Sequence, residues 1–335
     1  MIPIRFENIF DTKFLSKYKE FVLYGKEWNG EKYRFKIRNS EVKFDKSGDK
    51  SLNDVITWIK ENHSNETVKE FFKFVDKNIE TILVGNFNEI KELARRFNEI
   101  SINEEIKKIC REIFNYNKLY NKREYSYFIG NILNVFYKKI KVCPYCNRQY
   151  IDVFNDTERT FDFEHHFHKS KYWIFSISLA NLLPSCKSCN QRKGTIDVLG
   201  EEFLSPYEDI RVSFSIECNG GKIGNTNSLD AIESSIEKII VEQAEGSNIE
   251  KLYLKELYQL HKDIVAEIEL KKRAFPEIRK VFDEKAFDSL EGFEEIYRLI
   301  FANYIPTSEE DSLIFLKRPL SKLTFDIYRE LNNTP

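Results

Sequence analysis

Two Cys-x-x-Cys pairs, Cys143/Cys146 and Cys186/Cys189, restrict what this chain can fold into more than any other feature. Four thiolates are the full ligand complement of one tetrahedral zinc ion. A four-cysteine set leaves no coordination position open, which makes the site structural rather than catalytic. Cys143 and Cys146 flank Pro-Tyr, Cys186 and Cys189 flank Lys-Ser, and each pair reads as a tight knuckle. The 39 residues between the pairs exceed the usual finger spacing and must form structure of their own. A Zn2+-stapled segment is therefore the first expectation.

That reading depends on compartment. Met1 to Phe21 is a mixed polar segment without a charged-then-apolar leader. No apolar run approaches the roughly 18 residues a membrane helix requires. A reducing cytoplasm is expected, and paired cysteines there bind metal rather than each other. Cys110, in the pattern IKKICREIF, reads as a small buried hydrophobe. Cys218 ends a predicted strand and receives no role.

The segment between the knuckles carries FDFEHHFHKSKYW and then ANLLPSCKSCNQRKGT. Neutral imidazole takes a proton from water near pH 7, and few other unperturbed side chains do. Glu164 and Asn190 are candidate oxygen ligands for a hard divalent cation, leaving most of its shell to water and phosphate as Mg2+ prefers. Neighbours on a strand point to opposite faces, so Glu164 and His165 converge only if the chain turns there. A different reading lets His165, His166 and His168 bind a second Zn2+.

Composition frames the partners. The chain has 335 residues, 32% charged and 14% aromatic, a globular balance that excludes a disordered class. The formal charge of −2 gives no global sign of a polyanionic partner. Between Lys138 and Thr195, however, ten Lys/Arg face five Asp/Glu, and no acid follows Glu164 until Asp197. Positive charge is needed only where phosphate docks. Lys169, Lys171, Arg192 and Lys193 are candidate phosphate contacts, and as solvated lysines and arginine they need no function at all. Tyr172 and Trp173 serve either as base-stacking platforms or, more simply, as packing against the zinc ribbon.

The pattern divides the chain into three regions with boundaries near 140 and 200. Residues 1–140 read as mainly helical, with a small hairpin over 33–45, Ser51 and Thr67 as helix caps, and apolar stripes over 88–100, 102–114 and 125–140. Residues 141–200 read as a strand, strand, helix unit, with strands at Gln149–Phe154 and Thr160–Glu164 and a helix from Cys186 to Lys193 ending at Gly194. In 201–335 a strand over Val212–Glu217 precedes helices at IEKIIVEQ, 249–275, 292–305 and 320–331. The fold class expected is α+β and mainly α-helical, a small zinc-stapled ββα module between two helical regions.

The run FDFEHHFHKSKY…NLLPSCKSCNQRKG resembles the HNH (ββα-metal) endonucleases with zinc-ribbon cysteines, and more narrowly the PtuB-like HNH nuclease subunit of Septu-type anti-phage systems. The resemblance covers about 60 residues, Lys141 to Gly200. It implies His165 as general base and Glu164 in the place of the usual metal-binding acid. Asn181 becomes the central Asn that braces the loop, and Asn190 the ligand of the divalent ion. The four cysteines hold structural zinc. It further implies DNA as substrate, Mg2+ or Mn2+ as catalytic ion, and an ABC/SMC-like ATPase as partner, with no membrane. His166 stands where an aliphatic or aromatic residue is expected and His168 where Pro is usual, which makes His166 a rival for the base. Two other functions compete: a catalytically silent zinc module that binds nucleic acid or protein, and a stand-alone restriction-type nuclease.

Overall fold

The computed structural model describes residues 1–34, 50–120, 125–155, 158–281 and 312–333. It is mainly helical with two small antiparallel sheets. The hairpin expected over 33–45 lies, beyond residue 34, outside the described residues, as does the helix expected over 292–305. The chain packs into two compact units instead of three consecutive regions. One comprises Met1–Pro3, Ile140–Tyr150 and Asp209–Pro335, and the other Ile4–Lys139 and Ile151–Glu208. The segment after residue 150 joins the N-terminal helices rather than standing alone.

In the unit built on Ile4–Lys139, eight helices form among the described residues: α1 (Phe6–Ile9), α2 (Thr12–Tyr24), α3 (Leu52–Asn62), α4 (Glu66–Val84), α5 (Phe87–Asn98), α6 (Glu104–Ile113), α7 (Tyr116–Tyr120) and α8 (Ser126–Lys139). Their starts follow from short polar caps. Ser51 accepts from the backbone of Asp54, whose carboxylate accepts in return from Ser51 N, a reciprocal box that satisfies two orphan amides of α3. Asn86 and Glu89 repeat the device on α5. The cap of α4 is Asn65, not Thr67, because the Asn65 side chain takes the Thr67 amide. Their apolar faces meet in an aromatic core in which Phe21 stacks on Phe128 at 4.3 Å and Tyr18 bonds Tyr120.

The strand, strand, helix unit exists, with a different first pairing. β1 (Asp162–His165) pairs antiparallel with β2 (Leu182–Ser185), and α9 (Lys187–Lys193) follows. Gln149–Phe154 forms only isolated bridges, Val142 with Tyr150 and Val153 with Arg159. Leu182–Ser185 is buried throughout, and its apolar run reads locally as loop or core; only its long-range partner makes it a strand. The helix predicted before Gly194 is present, and Gly194 adopts φ 47°, a conformation open to glycine.

The other unit holds β3 (Val212–Cys218), α10 (Leu229–Ser235), β4 (Ile236–Gln243), α11 (Asn248–Lys251), α12 (Leu254–Tyr258), α13 (Lys262–Val281) and α14 (Ser321–Asn333). IEKIIVEQ is a strand, correcting the helical expectation. Its β-branched residues pair with β3 from Val212↔Gln243 onward, and burial alternates. The single helix expected over 249–275 is broken into α11, α12, a 3-10 turn at Gln259–His261, and α13. Asp326 and Glu330 of α14 accept from the amides of Phe214 and Ile216, which blunts the free edge of β3. Among the described residues no helix is long and apolar enough to cross a membrane.

Candidate metal centre and active site

The first knuckle is anchored by its neighbours in the chain and by α12 and α14. Cys143 N donates to Gln149 O, and Asn147 N donates to Cys143 O. Asn147 sits at φ 49°, where asparagine is tolerated, and is 1% exposed. Its amide donates to Phe315 O, and its Oδ1 accepts from Lys322 N. Tyr258 Oη donates to Cys146 O at 2.7 Å. Asn147 is a structural residue that spacing alone did not single out; its signal was only its place directly after the knuckle.

The second knuckle opens α9, with Cys186 at the N-cap and Cys189 in the first turn. All four cysteines are buried, and their sulfurs lie within 4.8 Å of one another. Zn–S bonds of about 2.3 Å place tetrahedral sulfurs roughly 3.8 Å apart, so the cluster fits one such ion with a small contraction. The four buried cysteines lie close enough to hold a metal ion such as zinc. Among the described residues they form the only such group of three or more His, Cys, Asp or Glu, so the three-imidazole alternative is not supported. Cys110 is fully buried, and burial pushes its thiol far up, as its apolar pattern implied.

His165 closes β1 and is 7% exposed. Its Nε2 lies 3.0 Å from Ser176 O; a carbonyl only accepts, so Nε2 carries the proton and Nδ1 keeps the lone pair. The ring meets Tyr116 edge to face at 4.6 Å. Burial first, and then Lys169, pushes its pKa down to about 3, so the imidazole is neutral at pH 7. Asn181 is fully buried, and its side chain is spent on the loop that follows β1. Oδ1 accepts from Phe167 N at 2.7 Å, and Nδ2 donates to Phe167 O at 3.0 Å and Phe175 O at 2.9 Å. The backbone oxygen of Asn181 accepts from His166 N as well. Asn181 thus ties the loop after β1 to the backbone at Phe175.

His166 lies in an aromatic enclosure of Phe87, Phe167 and Phe203 and is 2% exposed. Burial holds its pKa well below the ordinary value, and its Nδ1 has no hydrogen-bond partner among the described residues. It is a core histidine, enclosed where solvent does not reach. His168 is half-buried, its Nδ1 accepting from Ser170 N and lying 2.7 Å from Ser170 Oγ.

Strand alternation sends Glu164 to the face opposite His165, and its partner is Lys193 of α9. The ammonium lies 2.5 Å from Glu164 Oε1 and donates to His165 O at 2.5 Å and His166 O at 2.8 Å. Both side chains are sealed, at 1% and 2% exposure. Asn190 instead donates to Asp162 Oδ2 at 3.4 Å. Glu164 and Asn190 thus each have another partner, and they do not form the cation-ligand pair that the sequence resemblance implies. Asp162, one strand repeat before Glu164 on the same face, was passed over in the sequence.

The candidate phosphate contacts divide. Lys169, Lys171 and Arg192 are exposed; Lys169 Nζ stands 5.0 Å over the Tyr116 ring, and Lys171 is 3.5 Å from Asp197. Lys193 is a correction: a side chain 2% exposed and tied to three oxygens is not available to an external phosphate. Tyr172 and Trp173 are also buried. Phe97 packs on both, Asn98 donates to Tyr172 Oη, and Arg111 lies over Trp173, so their use is packing, against α5 and α6. No protein-family model, curated protein or solved structure matches the chain.

Proposed function

We propose that this chain is a metal-dependent endonuclease of the HNH type that hydrolyses DNA phosphodiester bonds, with Cys143, Cys146, Cys186 and Cys189 holding a structural zinc. The observation that carries the reading is the state of His165. It is neutral, its Nε2–H is committed to Ser176 O, and its loop is clamped by Asn181, so Nδ1 is the basic atom of the ring. In the reaction, Nδ1 takes a proton from water, the oxygen left attacks phosphorus, and the P–O bond to the leaving oxygen breaks. That oxygen takes a proton from solvent. Mg2+ or Mn2+, with Asn190 Oδ1 and water as its ligands, would supply charge stabilisation at the phosphate. A substrate phosphate also offsets the nearby Lys169 charge and raises the pKa of His165 toward the working range. Lys169, Lys171 and Arg192 supply exposed positive charge for the DNA backbone.

Resemblance to the Septu-type subunit supports a role in anti-phage defence beside an ABC/SMC-like ATPase, which co-purification tests. A specific observation favours a second reading: with Glu164 sealed by Lys193, the segment would serve as a zinc module that binds nucleic acid without cutting it. A plasmid-nicking assay with Mg2+ or Mn2+, with and without the co-purified ATPase, separates the two. Cutting that is lost in His165→Ala, with zinc content unchanged, supports the nuclease. No cutting under any of these conditions, with zinc bound and the fold intact, selects the binding module.

A further inference from the structure

Glu164 and Lys193 were assigned separate jobs by their sequence positions, a cation ligand and a phosphate contact. From their geometry we infer that the two instead form one buried positioning device for His165. The argument rests on three contacts of a single ammonium. Lys193 Nζ reaches Glu164 Oε1, His165 O and His166 O, the carboxylate before the candidate base and the carbonyls at and after it. Two of these contacts are hydrogen bonds to carbonyls and the third is an ion pair, all three from a group that only donates. The device ties the last turn of α9 to the end of β1. α9 also carries Cys186 and Cys189, so the zinc knuckle and the imidazole are joined through one short helix.

Burial decides between this role and the alternatives. A phosphate contact must meet solvent, and Lys193 is 2% exposed; a hard cation wants an oxygen free to enter its shell, and Glu164 is 1% exposed against an ammonium 2.5 Å away. Removing one member of a buried pair strands the other charge, whereas removing both relieves it. The two carbonyls add direction. They belong to the His165–His166 and His166–Phe167 peptide units, so holding them fixes the backbone directly after the residue whose ring projects toward Ser176 O.

The inference rests on the nuclease reading for its kinetic part only. The test compares wild type, Lys193→Met, Glu164→Gln and the Glu164→Gln/Lys193→Met double variant. Each is measured for zinc content, Tm, nicking kinetics with Mn2+, Mn2+ affinity by calorimetry, and the imidazole 15N resonances of labelled histidine. Lys193→Met is expected to lower kcat by roughly 100-fold with KM for DNA unchanged, the loss typical of a misplaced catalytic group. It should also shift or erase the His165 Nε2–H signature while zinc stays bound. The double variant should recover Tm relative to the worse single variant while kcat stays low, because the two carbonyls still lack their donor. A raised KM with kcat intact, an unmoved His165 resonance, or a double variant no better than Glu164→Gln with Mn2+ affinity lost would each overturn the inference. The last of these would make Glu164 a cation ligand. If wild type cuts nothing, the nuclease reading fails, and the Tm and resonance measurements still decide the pair.

Discussion

Asn181→Ala tests the bracing geometry most directly. The substitution strands one buried N–H and one buried carbonyl, both at Phe167, and takes one of two donors from the Phe175 carbonyl, which keeps Ser178 N. A buried polar group left without a partner costs about 1–3 kcal/mol. Taking the upper part of that range for the lost acceptor of the N–H, and the lower part for carbonyls that keep a second lone pair, the loss is about 4 kcal/mol. For a cooperative unit of some 150–250 residues each kcal/mol moves Tm by roughly 2–4 °C, so the variant should melt about 10 °C lower. Asn181→Asp should be no better: its carboxylate serves Phe167 N but sets a buried charge against two carbonyl oxygens. The assay is thermal unfolding by circular dichroism with zinc saturating, and Ser170→Ala, which loses only an exposed bond to His168, is the control at about 0.5 kcal/mol or less. An Asn181→Ala protein within about 1 kcal/mol of wild type would refute the reasoning, because the loop would then be held by something other than this amide.

The remaining predictions concern metal, protons and packing. Purified protein should contain one zinc per chain by elemental analysis, and a chelator should expose the four knuckle thiols to a thiol reagent while Cys110 reacts only on unfolding. Folded His165 and His166 bind protons less readily than unfolded histidine. Stability should therefore be full above about pH 6.5 and fall below it by about 1.4 kcal/mol per pH unit for each ring, until the folded value is reached. In denaturant melts between about pH 6.5 and 5.5, His166→Phe should flatten that slope by one ring's share. His166→Ala should destabilise by about 2 kcal/mol through the space left among Phe87, Phe167 and Phe203, whereas His165→Ala should abolish nicking with zinc retained; the reverse pattern would reassign the base.

Local chemistry made much of this chain legible in its sequence. The Cys-x-x-Cys spacing announced the four-sulfur cluster, because two knuckles of that kind have few other uses in a reducing environment. Ser51 with Asp54 announced the start of α3, and Gly194 the end of α9, since caps are set by residues within one turn.

Tertiary structure decided the rest, for reasons local pattern cannot reach. Leu182–Ser185 rather than Gln149–Phe154 is the partner of β1, because pairing depends on residues brought together across a long connection. IEKIIVEQ reads locally as a helix, and only β3 lying beside it makes it a strand. The sequence marks His165 as the base with His166 its rival; aromatic walls from α5 and from Phe203 withdraw the rival, and a carbonyl orients His165. Lys193 in a basic run looks like surface charge. Only the packing of α9 on β1 turns it inward, where low dielectric and three oxygens make a buried ammonium tolerable.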